Sequence, residues 1–154
     1  MEWKSKPWEA LTRDEWHGMV RLRIDVFVVE QDCPYPDLDG KDLRAWHVWC
    51  EEESVTKGAA AVACARILAP GVSYAELSIG RVATRRDQRG KGIGKELMRR
   101  CIEVAEQTWP GGDIRISAQC YLEEWYGDLG FVAVGSPYLE DDIPHIQMIK
   151  SSVA

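Results

Sequence analysis

The stretch Arg81-Val82-Ala83-Thr84-Arg85-Arg86-Asp87-Gln88-Arg89-Gly90-Lys91-Gly92-Ile93-Gly94-Lys95-Glu96-Leu97-Met98-Arg99-Arg100 decides how this chain is read. An apolar strand runs into it, three alternating glycines interrupt it, and an amphipathic helix leaves it. Residues 85–100 hold seven basic side chains (Arg85, Arg86, Arg89, Lys91, Lys95, Arg99, Arg100) and two acidic ones (Asp87, Glu96). This window carries +5 on a chain of formal net charge −6, so everything else sums to −11. A local positive island on an acidic chain calls for an anion. Glycines at a helix start let bare backbone N–H groups approach that anion, and the helix dipole adds favourable potential there. The expectation is a pyrophosphate-binding loop.

The bulk properties narrow the setting. A chain of 154 residues, 45% hydrophobic and 29% charged, fits one globular domain spanning 1–154. The first eight residues lack the apolar core of a secretory signal, and no apolar run reaches the roughly 18 residues of a membrane span. A cytoplasmic protein with no membrane partner is expected. The five cysteines (Cys33, Cys50, Cys64, Cys101, Cys120) contain no Cys-x-x-Cys and read as reduced, mostly buried thiols, with no metal site. Net acidity argues against nucleic acid and suits a cationic small molecule.

Outward from the loop, the chain alternates strands and helices. Residues 2–8 read as a first strand. Thr12 and Glu15 fit a capping box for a helix over roughly 13–28, with Trp16, Val20, Ile24 and Phe27 as its core stripe. Residues 28–42 form a loop broken by prolines and glycine. It carries Glu30, Asp32, Asp37, Asp39 and Asp42, read as a solvated acidic loop or as a lip for a cationic substrate. Calcium is excluded, because counting from Asp37 puts Asp42 and Val48 where an EF-hand needs Gly and Glu. Strands follow at 45–50, 59–68 and 74–84, the first two joined by a polar connection over 51–58. The strand at 59–68 is apolar throughout except for Arg66, which suits burial on both faces. Gly80 marks a bulge or a close backbone approach. A helix over 92–108 places Ile93, Leu97, Cys101, Val104 and Ala105 on one face. A strand at 113–119, a short helix at 121–128, a strand at 131–134, a loop at 136–144 and a strand at 145–150 complete an α/β chain with a mixed sheet.

The loop is not a Walker A motif: Gly90, Gly94, Lys95 and Glu96 are one residue too close, and no hydroxyl stands where Mg²⁺ needs one. It misses the dinucleotide fingerprint too, since Gly90-x-Gly92-x-Gly94 has the wrong third spacing. Arg89-x-x-Gly92-x-Gly94, after a strand and before an amphipathic helix, resembles the GNAT family of N-acetyltransferases. There this signature binds the pyrophosphate of acetyl-CoA. The run Tyr121-Leu122-Glu123-Glu124-Trp125-Tyr126-Gly127-Asp128-Leu129-Gly130-Phe131 resembles the family's later motif, and the order of elements matches over nearly the whole chain. Residues 23–35, 79–82 and 138–148 resemble its ElaA-like branch.

The resemblance implies a mostly antiparallel central sheet flanked by helices. Two splayed parallel strands, 77–84 and 114–119, would form the cofactor cleft. It implies acetyl-CoA as co-substrate: backbone groups of Val82, Ala83 and Thr84 along the pantetheine arm, and amides of Gly90, Lys91, Gly92, Ile93, Gly94 and Lys95 on the pyrophosphate, with Arg89 nearby. Tyr126 matches the position of the thiolate acid, and Trp125 reads as core. The base stays open among His145, Glu30, Glu76 and ordered water; His17 and His47 read as structural. The expected activity is transfer of acetyl to a primary amine, on a small molecule or peptide, in a ternary complex. The acidic residues Asp37, Asp39, Asp42, Glu140, Asp141 and Asp142 suggest a cationic acceptor. A non-catalytic acyl-CoA sensor is the alternative. Exposed tryptophans among the seven would mark a homodimer surface.

Overall fold

The computed structural model describes residues 1–53 and 60–152. The turn expected within 51–58 therefore lies largely outside the described residues. In chain order come β1 (Glu2–Pro7), α1 (Arg13–Arg23), a π-helical continuation (Ile24–Glu30), β2 (Ala45–Glu52), β3 (Ala60–Leu68) and β4 (Leu77–Thr84). Then follow α2 (Ile93–Thr108), β5 (Ile114–Gln119), α3 (Glu123–Gly127), β6 (Val132–Glu140) and β7 (Ile143–Lys150). Among the described residues, seven strands form one sheet in the order β1-β2-β3-β4-β5-β7-β6.

All neighbours are antiparallel except β4 and β5, which run parallel and pair only at Leu77↔Ile114 and Ser78↔Arg115. Beyond that point the two strands part. The cause sits on β4, where Cys64 pairs with Ala83 but Arg66 pairs with Gly80, so Arg81 and Val82 together oppose Ala65. Arg81 takes a left-handed φ of 51° to make the bulge. A bulge of this kind bends its strand away from its partner. The bulge expected at Gly80 is thus present one residue further on.

Side-chain alternation gives the sheet two faces. On one, Val48, Cys50, Ile67, Ile79, Ile116 and Met148 join Leu97, Met98, Cys101 and Ala105 of α2 in the main core. On the other, Trp49, Cys64 and Ala83 pack against Met19, Leu22 and Val26 of α1 and its continuation.

The helix 13–28 is present with its capping box, Glu15 N–H donating to Thr12 Oγ1 at 3.1 Å and Thr12 N–H to Glu15 Oε1 at 2.9 Å. Its buried stripe differs from the expected one. Met19, Leu22 and Val26 are 1%, 3% and 8% exposed, whereas Ile24 is 38% exposed; Trp16 and Phe27 pack at the flank. The buried charges decide this rotation. Glu15 turns inward to Lys4 and Lys6, and Arg23 turns inward to Asp37 and Asp42.

The expected loop at 136–144 is also corrected. β6 runs on to Glu140, and Asp141 and Asp142, at φ 49° and 61°, make a two-residue turn into β7. Two consecutive left-handed residues match the twist of a tight hairpin. Pro137 is tolerated because β6 is an edge strand, and Pro144 because it lies before the first β5 pairing at His145.

Candidate active site

The parting of β4 and β5 opens a cleft of about 830 Å³, running from the start of α2 to the loop that follows the π-helical turn. At its α2 end Gly90 and Gly92 hold φ of 78° and 79°, a conformation side chains disfavour. Gly94 is needed for a different reason: a Cβ there would meet the Trp125 ring at 3.1 Å and Thr84 Oγ1 at 3.4 Å. Among the described residues no side chain caps the N-terminus of α2, so its first amides remain available. The expected glycine loop therefore has the shape of an anion cradle at a helix start.

The basic residues around it are engaged. Arg89 donates through Nε to Thr84 O at 3.0 Å, and through both terminal nitrogens to Glu30 at 2.6 and 2.9 Å. Lys95 lies 3.2 Å from Asp128, and Lys91 donates to Gln88 at 3.4 Å.

Along the middle of the cleft, β4 from Ile79 onward has no strand partner on its β5 side, and Val82, Ala83 and Thr84 line the opening. Tyr126 lines the opposite wall. Its ring is held edge-on by Trp125 at 4.9 Å and by Phe131 at 6.0 Å. Burial pushes its phenol above the ordinary value, so it carries its proton at neutral pH.

At the far end stand His145 and the loop 31–44, whereas Glu30 lies toward the glycine loop, bonded to Arg89. His145 donates from Nδ1 to Ile143 O at 2.7 Å, leaving Nε2 3.3 Å from Glu140. It stacks on Tyr138, whose hydroxyl bonds Ser117 Oγ. Arg89 holds the Glu30 carboxyl below its usual range. Glu76 is held down likewise, by Arg115 at 2.8 Å, and is absent from the cleft wall. His47 is buried against Asp42 O, a structural contact.

The acidic loop is not a solvated lip. Asp42 takes Arg23 at 2.8 Å and Arg66 at 3.2 Å, Asp37 takes Arg23 at 2.9 Å, and Asp39 takes both terminal nitrogens of Arg66 at 2.8 and 2.7 Å. Arg81 closes the knot on Asp37 at 3.0 Å. Three of the six acidic residues behind the cationic-acceptor expectation are thus neutralised. Reading the sequence missed this knot, although one signal was visible: an arginine inside an otherwise apolar strand needs buried counter-charge.

A mixed sheet with one splayed parallel pair, beside a glycine-bearing helix start, marks the fold of acyl-CoA-dependent acetyltransferases. The family model described as acetyltransferase (GNAT) domain matches residues 26–152, and the chain belongs to this family. Within it, protein ElaA of Escherichia coli K12 is 35% identical over 157 residues, covering 99% of this chain and 98% of its own. A Synechocystis protein of the group named UPF0039 is 39% identical over 149 residues, 97% of this chain and 94% of its own. Among solved structures, an acyl-CoA N-acyltransferase from Pseudomonas aeruginosa superposes with a TM-score of 0.90 at 39% identity, covering 97% of this chain and 99% of that one. No helix of the described residues is long and apolar enough to cross a membrane.

Proposed function

We propose that this chain moves an acetyl group from acetyl-CoA to a primary amine of a small molecule or peptide, by direct attack in a ternary complex. The observation that carries this reading is the cleft itself, a glycine cradle at one end, an unpaired strand edge along it and a protonated tyrosine on its wall. The amides from Gly90 to Lys95 would hold the pyrophosphate, and the free edge at Val82, Ala83 and Thr84 would hold the pantetheine arm as an added strand pairs. Acetyl-CoA supplies an activated thioester.

The rest falls to this chain's own side chains. Tyr126 keeps a proton in a dry wall and gives it to the departing sulfur. His145 is the better base of the two candidates, because Nδ1 is fixed by a carbonyl and Glu140, 3.3 Å from Nε2, would hold the imidazolium that forms. Glu30 is engaged by Arg89, and a carboxylate held down in this way accepts protons poorly. The acidic turn, with Glu140, Asp141 and Asp142, would draw the acceptor's ammonium inward.

A thermal-shift titration with acetyl-CoA, free CoA, ATP and NAD tests the cradle, and an amine panel tests transfer. Stabilisation by both CoA species alone is the expected result. A shift with ATP instead would sink the assignment, and CoA binding without turnover of any amine would leave only the sensor.

Glu30 allows a sharper check. Glu30 and a bound pyrophosphate compete for one guanidinium, so Glu30→Gln is expected to tighten CoA by about two- to fivefold, the scale of an exposed ion pair. Isothermal titration measures it; weaker binding in the variant would show that Glu30 supports the cradle instead.

A further inference from the structure

We propose that the acceptor carries a carboxylate as well as its amine, and that Lys41, with Arg81 beside it, receives that carboxylate at the end of the cleft away from the glycine loop. The proposal rests on the acetyl-transfer reading and adds the substrate class. It follows from the charges that remain once the buried knot is counted. Arg23, Arg66 and Arg81 face Asp37, Asp39 and Asp42, three cations against three anions. The knot is short of acceptors and not of donors. Among the described residues, buried Nε of Arg66 has no hydrogen-bond partner, and Nε of Arg81, although 3.0 Å from Asp37, is not aligned to donate.

Lys41 is a fourth cation at the same place. Its ammonium donates to the neutral Ser73 hydroxyl at 2.8 Å and, among the described residues, makes no ion pair. Lys41, Ser73 and Arg81 all line the cleft. The Arg81 side chain keeps 24% of its surface exposed, stacked over the Tyr35 ring at 5.4 Å. This wall therefore offers one uncompensated positive charge and, since Arg81 Nη2 already donates to Asp37 O at 3.0 Å, the remaining Nη1 of that guanidinium.

The other side of the opening has the opposite sign. Glu140 and Asp141 line it together with His145, and Cys33 Sγ, donating to Asp141 O at 3.5 Å, ties the loop 31–44 to the β6–β7 turn. An acceptor that bears an ammonium and a carboxylate matches both walls. A diamine must place its second ammonium against Lys41 and Arg81, where like charges repel. An amino acid or the terminus of a short peptide has the required chemistry.

The test uses matched pairs at saturating acetyl-CoA: an amino acid against its decarboxylated amine and against its amide, over several side-chain sizes. The carboxylate-bearing member is expected to show a kcat/KM at least about tenfold higher, with the difference in KM. Lys41→Gln should remove that advantage through the KM of the carboxylate-bearing member and leave CoA affinity unchanged. Lys41→Glu should reverse the preference, which a loss of fold cannot do. Equal or better turnover of the decarboxylated amines by the unaltered chain overturns the carboxylate site alone, as does a preference that survives both Lys41 variants. Acetylation of no member of any pair, with CoA bound, overturns the transfer reading and the carboxylate site with it.

Discussion

Replacing Arg23 with alanine is expected to cost the fold about 3–5 kcal/mol, the scale of breaking a buried pair and stranding its partner charges. On a domain whose whole stability is of order 5–15 kcal/mol, that loss is a large share. The Arg23 side chain is 2% exposed, and it holds Asp37 at 2.9 Å and Asp42 at 2.8 Å, themselves 2% and 4% exposed. The pH dependence carries the sign. Burial pushes the Asp42 carboxyl up, but bonding to Arg23 and attraction to Arg66 pull it further down, below its usual value. A carboxylate depressed in the folded state adds stability above its unfolded pKa and loses it as pH falls. In the variant that pull is weakened while the burial stays, so acid relieves the stranded charge. The gap between the two proteins is therefore expected to be widest near pH 7 and to shrink below about pH 4. Urea unfolding at both pH values measures it. A gap below about 1 kcal/mol at pH 7 would show that the knot contributes no more to the fold than an exposed ion pair does.

That knot also explains which parts of the molecule were legible in the sequence. Local signals gave the elements: the capping box at Thr12, the apolar face of α2, the glycine loop and the succession of strands and helices along the chain all lie within a few residues of their cause. The splay of β4 from β5 was legible only through the family resemblance, because it arises from a bulge opposite Ala65 that no single residue announces. The buried charges were illegible for a related reason. Asp37 and Asp42 resemble loop aspartates until α1 delivers Arg23 from fourteen and nineteen residues away. Burying that arginine turned the helix so that Ile24 faces out and Met19 faces in. The hairpin at Asp141 and Asp142 failed through weak turn chemistry: aspartate tolerates left-handed φ but signals it less strongly than glycine. Arg89 stands beside the glycine loop in the sequence itself, but its pairing with Glu30 spans fifty-nine residues and required the fold.

Tyr126→Phe is expected to lower kcat by about 10²- to 10⁴-fold, the usual contribution of a positioned proton donor. CoA affinity and unfolding free energy should hardly change. The substitution removes only the hydroxyl, and the edge-on contacts with Trp125 and Phe131 belong to the ring. In the proposed mechanism the phenol has one role, to protonate the departing sulfur, so its loss appears in kcat and not in the binding of either substrate. Because burial holds the phenol above its ordinary value, ionisation of Tyr126 should not limit the unaltered enzyme anywhere in the neutral range. The pH–rate profile should rise with the base and stay flat well past pH 8. A Phe variant within about threefold of the original kcat would show that solvent, not Tyr126, delivers the proton. The ring would then be a packing residue, and the cleft would bind the thioester without supplying the acid. A loss confined to KM would instead make the hydroxyl a binding contact, and the search for the proton donor would move to the far wall, where Tyr138 bonds Ser117 beside His145.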